Sequence, residues 1–219
     1  MLGNGEIWDN QYGSSPPFVL VSYQNQFLKT PFQLGTGGVI GCTMVTIISK
    51  RAVWMAHIWE GYAFQDSFIP SDPLAGKPDD KPGTQTFKDR AICGITGAEP
   101  SVPLTFPLKG PSLDKSYFNR PGDNTVAYIM SPGDGNKVYE YPNKLGELKS
   151  ALMDLVPGIH IELKNYVAID VNDEEEAKQL WNTARGMALF QYDPDSDGQG
   201  NPSYRLFYET IFNKVAPLN

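Results

Sequence analysis

Residues 43–59 read TMVTIISKRAVWMAHIW, and the reading of this stretch decides the fold. Thr43 to Ser49 is β-branched and apolar, Lys50 and Arg51 interrupt it, and Ala52 to Trp59 resumes an apolar run. Two strands parted by so short a polar break form a β-hairpin. Upstream lies a glycine loop, Gly35-Thr36-Gly37-Gly38, leading through Val39-Ile40-Gly41 to Cys42. Before that, Phe18 to Tyr23 (FVLVSY) reads as a buried strand. Downstream, residues 60–83 are loop, broken by Pro70, Pro73, Pro78 and Pro82. Thr86 with Asp89 three residues on is a capping box for a short helix carrying Phe87, Ala91 and Ile92. A second proline-rich stretch runs from Pro100 to Pro111.

The second half is more regular. Asn124 to Met130 is a strand, and Leu145, Leu148, Leu152 and Leu155 recur at helical spacing until Pro157-Gly158 ends the helix. Ile159, Ile161 and Leu163 alternate with His160, Glu162 and Lys164, which marks a half-buried strand with His160 facing solvent. A helix is expected from Asn172, with Asp173 to Glu176 at its positive end and an apolar stripe of Ala177, Leu180, Trp181 and Ala184. Met187 to Tyr192 and Tyr204 to Thr210 are the last expected strands. The chain of 219 residues is expected to be one α+β domain with a mixed, mostly antiparallel sheet and flanking helices. Its core hairpin spans 39–60 and a loop-rich insertion spans 60–120.

Composition narrows the function. Lys and Arg number 18 against 25 Asp and Glu, a net charge of −7. That balance argues against a phosphate-backbone partner, so nucleic acid is not expected. No apolar run approaches the ~20 residues that span a bilayer, so no membrane partner is expected either. Met1 to Asn10 lacks a basic segment followed by an apolar one, so no signal peptide is expected; secreted and cytoplasmic locations both fit. Two cysteines, Cys42 and Cys93, make no disulfide scaffold, and they are either one bridge or two free thiols.

The hairpin brings together two reactive side chains. A two-residue turn at Ser49-Lys50 sets Cys42 directly opposite His57 on one face. The same turn moved to Lys50-Arg51 makes the pair diagonal but keeps the shared face, whereas a three-residue turn without a bulge would put them on opposite faces. A thiol beside an imidazole is a nucleophile beside a base, and the imidazole is expected to lower the thiol's pKa and store its proton. Thr36, or a backbone carbonyl near it, could orient the imidazole through its second nitrogen. Gly38 and Gly41 allow backbone N–H groups close to a bound carbonyl, as an oxyanion hole requires. Trp59 shares the face of His57 and could wall a pocket. Glu60 and Asp66 follow the hairpin and could polarise His57. The same residues also fit plain structure: a small buried thiol and a satisfied core histidine among Val53, Met55 and Trp59.

The segment Gly35-Thr36-Gly37-Gly38-Val39-Ile40-Gly41-Cys42, with His57 fifteen residues on, resembles the catalytic core of the cysteine–histidine glutamine deamidases. That superfamily includes cytotoxic necrotizing factor, Burkholderia lethal factor and the chemoreceptor deamidase. Wider stretches, Ala52–Glu60 and Arg185–Tyr192, resemble uncharacterised fungal proteins related to that fold. The resemblance implies a central β-sandwich and hydrolysis of protein glutamine to glutamate by Cys42, His57 and Thr36, in a toxin or effector, without a cofactor. Its implied partner is a protein with an accessible glutamine. The toxins carry Leu-Ser-Gly-Cys where this chain has Val39-Ile40-Gly41-Cys42, so the serine hydroxyl is missing. Two other functions fit the residues: a different thiol hydrolase, such as a peptidase, and a non-catalytic secreted binding protein on the same fold. Asp193-Pro194-Asp195-Ser196-Asp197-Gly198 resembles the opening of a calcium loop. Position twelve would be Tyr204 rather than Glu and Pro194 is awkward, so a solvated hairpin turn is expected, with Asp193, Asp195 and Asp197 as weak cation candidates.

Overall fold

The hairpin forms from strands β3 (Thr43–Ile48) and β4 (Ala52–Ile58) in a computed structural model that describes residues 18–64, 85–210 and 212–218. Its pairs include Met44 with His57 and Ile48 with Val53, so the turn falls at Lys50-Arg51 rather than at Ser49-Lys50. The Ser49 hydroxyl selects this register. It accepts from the Arg51 and Ala52 N–H groups at 3.0 and 3.1 Å, and donates to the Tyr117 carbonyl at 2.7 Å. Arg51 is pinned in turn by Asp123, Nη2 to Oδ2 at 2.7 Å. Cys42 and His57 are therefore diagonal neighbours on one face.

Every residue of β3 and β4 is buried, because both faces are covered. The hairpin lies at the centre of a six-stranded sheet ordered β5-β1-β4-β3-β6-β7, where β1 is Leu20–Gln26, β5 Leu108–Lys109, β6 Val126–Pro132 and β7 His160–Tyr166. One face packs Val45, Ile47, Trp54 and Ile58 against Phe87, Ile95 and the Leu145, Leu148 and Leu152 stripe of helix α2 (Pro142–Leu155). The other face packs Met44, Val53 and Met55 against a four-stranded antiparallel sheet ordered β10-β9-β8-β2. Its strands are β2 (Phe32–Thr36), β8 (Ala188–Asp193), β9 (Ser203–Tyr208) and β10 (Phe212–Pro217). The fold is an α+β β-sandwich with helices on one outer face.

Several expectations are adjusted. Gly35 and Thr36 do not belong to the glycine loop; they are the last residues of β2, paired with Leu189 and Ala188. Asn124 and Thr125 precede β6 rather than opening it. The helix expected from Asn172 is two single turns, α3 (Glu174–Ala177) and α4 (Gln179–Asn182), which meet at Lys178. Asp173 caps the first, accepting from Glu175 and Glu176, but Trp181 is 87% exposed instead of part of a buried stripe. Strand β10 was not legible: Asn213, Lys214 and Val215 are all exposed on this edge strand, so no apolar alternation marks it. Within 60–120 the capping box forms, with Thr86 Oγ1 donating to Asp89 Oδ2 at 2.8 Å and Asp89 N–H returning to Thr86 Oγ1 at 3.2 Å. It starts a π-helical turn, Lys88–Ile92, that runs into α1 (Cys93–Thr96). Another π-helical turn, Glu60–Phe64, follows β4 directly. The prolines at 70, 73, 78 and 82, and Asp66, lie outside the described residues.

Candidate active site

Three segments converge between the two sheets. Strand β2 brings Thr36 on the second sheet, the linker 37–42 crosses to the first sheet and delivers Cys42, and β4 brings His57. The linker turns through Gly38 and Gly41, at φ +68° and +79°, a left-handed conformation that side chains other than glycine resist. Val39 N–H ties it to the Gly186 carbonyl at 2.9 Å. The Gly186 N–H donates to the buried Glu209 carboxylate at 2.7 Å, so the segment just before β8 and the β9–β10 turn hold the linker's far side.

Thr36 Oγ1 lies 3.1 Å from His57 Nδ1, across the sandwich interface. The same oxygen lies 3.3 Å from the Gly37 carbonyl, which can only accept. One arrangement satisfies all three groups: His57 Nδ1–H donates to Thr36, and the Thr36 hydroxyl donates to Gly37. It leaves Nε2 as the basic nitrogen. That atom is buried and has no hydrogen-bond partner among the described residues. Trp59 lies parallel to the imidazole, ring centroids 4.7 Å apart and planes 13° from parallel, so it does wall this side. Burial pushes the His57 pKa down to about 3. Histidine-selective 15N NMR should find His57 neutral at pH 5 with its proton on Nδ1; a charged ring there would refute the arrangement.

Cys42 is free, as is Cys93, so the two do not form a bridge. Its sulfur is buried and leans toward the Ile40 carbonyl at 3.9 Å, while its own carbonyl accepts from the Tyr166 hydroxyl at 2.8 Å. Here the expectation of a thiolate primed at neutral pH fails. Burial pushes the thiol up to about 12; a hydrogen bond from the Glu60 backbone opposes this, and the Glu60 charge adds to it. The two sheets exclude the water that would stabilise the thiolate. The resting site is a protonated thiol and a neutral imidazole on one face, with the sulfur turned to the Ile40 carbonyl and no hydrogen bond between Cys42 and His57 Nε2.

Glu60 does not polarise His57. Its carboxylate accepts from the Tyr141 hydroxyl at 2.5 Å and lies over Gly41, where an added Cβ would overlap it. The corner expected to hold an oxyanion at Gly38 and Gly41 is thus faced by an acid of the chain's own. Tyr141, just before α2, and Tyr166, at the end of β7, are far off in sequence, and no local pattern marked them. Cys93 packs at the start of α1, with its thiol toward the Glu99 carbonyl at 3.6 Å. His160 is on the surface, as expected, its side chain 72% exposed.

Asp193, Asp195 and Asp197 do not converge on a cation. Asp193 accepts from Asp195 N–H, Asp195 from Gly200 N–H, and Asp197 from Gln199 N–H and the Asn201 amide. These are the bonds of a solvated hairpin turn. Among the described residues, no group of three or more His, Cys, Asp or Glu is placed to hold a metal ion.

Fold and site together define a β-sandwich protein with a buried Cys42–His57–Thr36 constellation. No family model matches the chain, and no curated protein matches it.

Proposed function

We propose that this protein is a cysteine-dependent amidohydrolase that converts glutamine side chains of a protein substrate to glutamate, as its resemblance to the cysteine–histidine glutamine deamidases implies. One observation carries the reading: the Thr36–His57 bond leaves a buried imidazole nitrogen that has no partner among the described residues, on the face that Cys42 shares. Buried side-chain nitrogens are in the large majority hydrogen-bonded, so an unsatisfied one calls for a role beyond packing.

In the proposed reaction His57 Nε2 takes the Cys42 proton, and the sulfur attacks the carboxamide carbon of a glutamine. Backbone N–H groups at the Gly38–Gly41 corner receive the oxyanion. The tetrahedral intermediate collapses to a thioester as the imidazolium returns its proton to the leaving nitrogen, which departs as ammonia. Water, deprotonated by His57, then attacks the thioester, giving glutamate and the restored thiol. Thr36 keeps Nε2 as the basic nitrogen throughout and bears on the ring as it becomes positive. Each step needs only the substrate and water, and no cofactor enters.

The test is a cell lysate incubated with the protein and searched by mass spectrometry for glutamine-to-glutamate conversions. Conversions present with the natural chain and absent with Cys42→Ala are expected. Equal conversion by both proteins would end the proposal, and peptide-bond cleavage in place of deamidation would turn it into a thiol peptidase. A second reading, a binding protein on a catalytically silent site, draws on the burial of Cys42, which is 3% exposed. Total absence of conversion with a well-folded natural chain would favour it.

A further inference from the structure

The segment after β4 lies at the site only through Trp59 and Glu60; beyond them Ala63 and Phe64 pack into the helix-covered core, where the segment is anchored. Trp59 stacks on His57, and the π-helical turn Glu60–Phe64 follows at once. Tyr141, just before α2, donates its hydroxyl to Glu60; Lys144, in the first turn of α2, donates Nζ to the Phe64 carbonyl at 2.7 Å. Arg90, buried in the other π-helical turn, donates Nε to the Ala63 carbonyl at 3.2 Å. π-helical turns are rare and gather at functional sites, because their looser backbone bonds come at a cost that packing must offset.

The Glu60 carboxylate has two effects where it lies. It fills the space above Gly41, next to the sulfur, so a substrate carboxamide cannot enter there. It also sets a negative charge beside a thiol that must become negative to react, which opposes ionisation. A glutamate side chain is, besides, the product of the proposed hydrolysis, so the chain carries its own product analogue in the corner.

We propose that Trp59–Glu60, anchored by Ala63 and Phe64 on the helix-covered face, is a strap holding the site shut, with the Glu60–Tyr141 hydrogen bond as its latch, and that Glu60 must leave Gly41 before Cys42 can react. The inference rests on the reading of Cys42 and His57 as a reactive pair, but its test does not require deamidation. Opening the latch lets water reach the sulfur and removes the nearby charge, and both changes favour the thiolate. The substrate carboxamide, which can also accept from Tyr141, is the group that would take the place of Glu60.

Iodoacetamide alkylation, followed by peptide mass spectrometry on the full chain at pH 7.5, reads the latch directly. Tyr141→Phe and Glu60→Ala should each label Cys42 about tenfold faster than the natural chain. Cys93, buried at the start of α1 with its thiol toward the Glu99 carbonyl, serves as the internal reference and should label at its natural rate. Cys42 rates unchanged in both variants would overturn the latch. So would a rise shared by Cys42 and Cys93, since that reports general loosening rather than a local opening. Tyr141→Phe keeps the ring that packs on Phe64, so the test survives if Glu60→Ala does not fold. A failed latch leaves the glutamine-to-glutamate assay standing, and a failed assay leaves the alkylation result standing.

Discussion

Acidification from pH 6.5 toward 3 should strip on the order of 4–5 kcal/mol from the stability of this protein through His57 alone. The ring is wholly enclosed between the sheets, and its pKa falls from the usual 6.5 to about 3 in the folded chain. Below 6.5 the unfolded chain takes up a proton that the folded chain refuses, so stability falls with pH at about 1.4 kcal/mol per unit. The loss is complete only near the folded value. Against a typical 5–15 kcal/mol of total stability, this one residue brings the fold near its limit in acid. Asp89 and Asp123 push the same way, since hydrogen bonds hold both below the usual carboxylate range and that stabilisation is lost as they protonate. Glu209 pushes the other way, because burial raises its pKa. His57→Asn isolates the contribution. The Asn amide can still donate to Thr36 but has nothing to protonate. Urea titrations between pH 6.5 and 4 should give a stability line flatter by about 1.4 kcal/mol per unit in the variant. Parallel lines would show that the imidazole charges freely and that the site is open to water.

The same substitution should abolish function. His57→Asn removes the group that takes the thiol proton and returns it to ammonia, a contribution of about 10²–10⁴-fold for a positioned base. Here the loss should fall toward the upper end, because a thiol raised to about 12 forms almost no thiolate without help. Glutamine-to-glutamate conversion should drop by roughly 10³-fold or more while the fold survives. Gains in acid resistance and losses in activity from one substitution are the mark of a site kept at a cost in stability. An unaffected rate would remove His57 from the reaction and leave it a buried core residue.

Much of the fold was legible because its periodicities are local. The apolar run at 43–59, the leucine spacing of α2, the alternation at 159–164 and the Thr86–Asp89 capping box each carry their signal within a few residues. Parity also placed Cys42 and His57 on a shared face for either two-residue turn, and the turn that formed is one of these. The failures share one cause. Trp181 lies on a segment that breaks at Lys178, and β10 is an edge strand whose exposed residues need no pattern. The expected thiolate failed because a pKa follows from what surrounds a sulfur, and its surroundings here come from β7, the 37–42 linker and the strap.

By itself, then, the order of residues determined the hairpin, the helices and the candidate pair, since strand and helix periods state which side chains share a face. Tertiary structure decided the rest. Ser49 and the Arg51–Asp123 pair chose the register, β2 carried Thr36 across to the imidazole, and Glu60 and Tyr141 met over Gly41. These contacts join residues tens of positions apart, and only the stacking of two sheets and a helix layer brings such groups within bonding distance and shuts water out from between them.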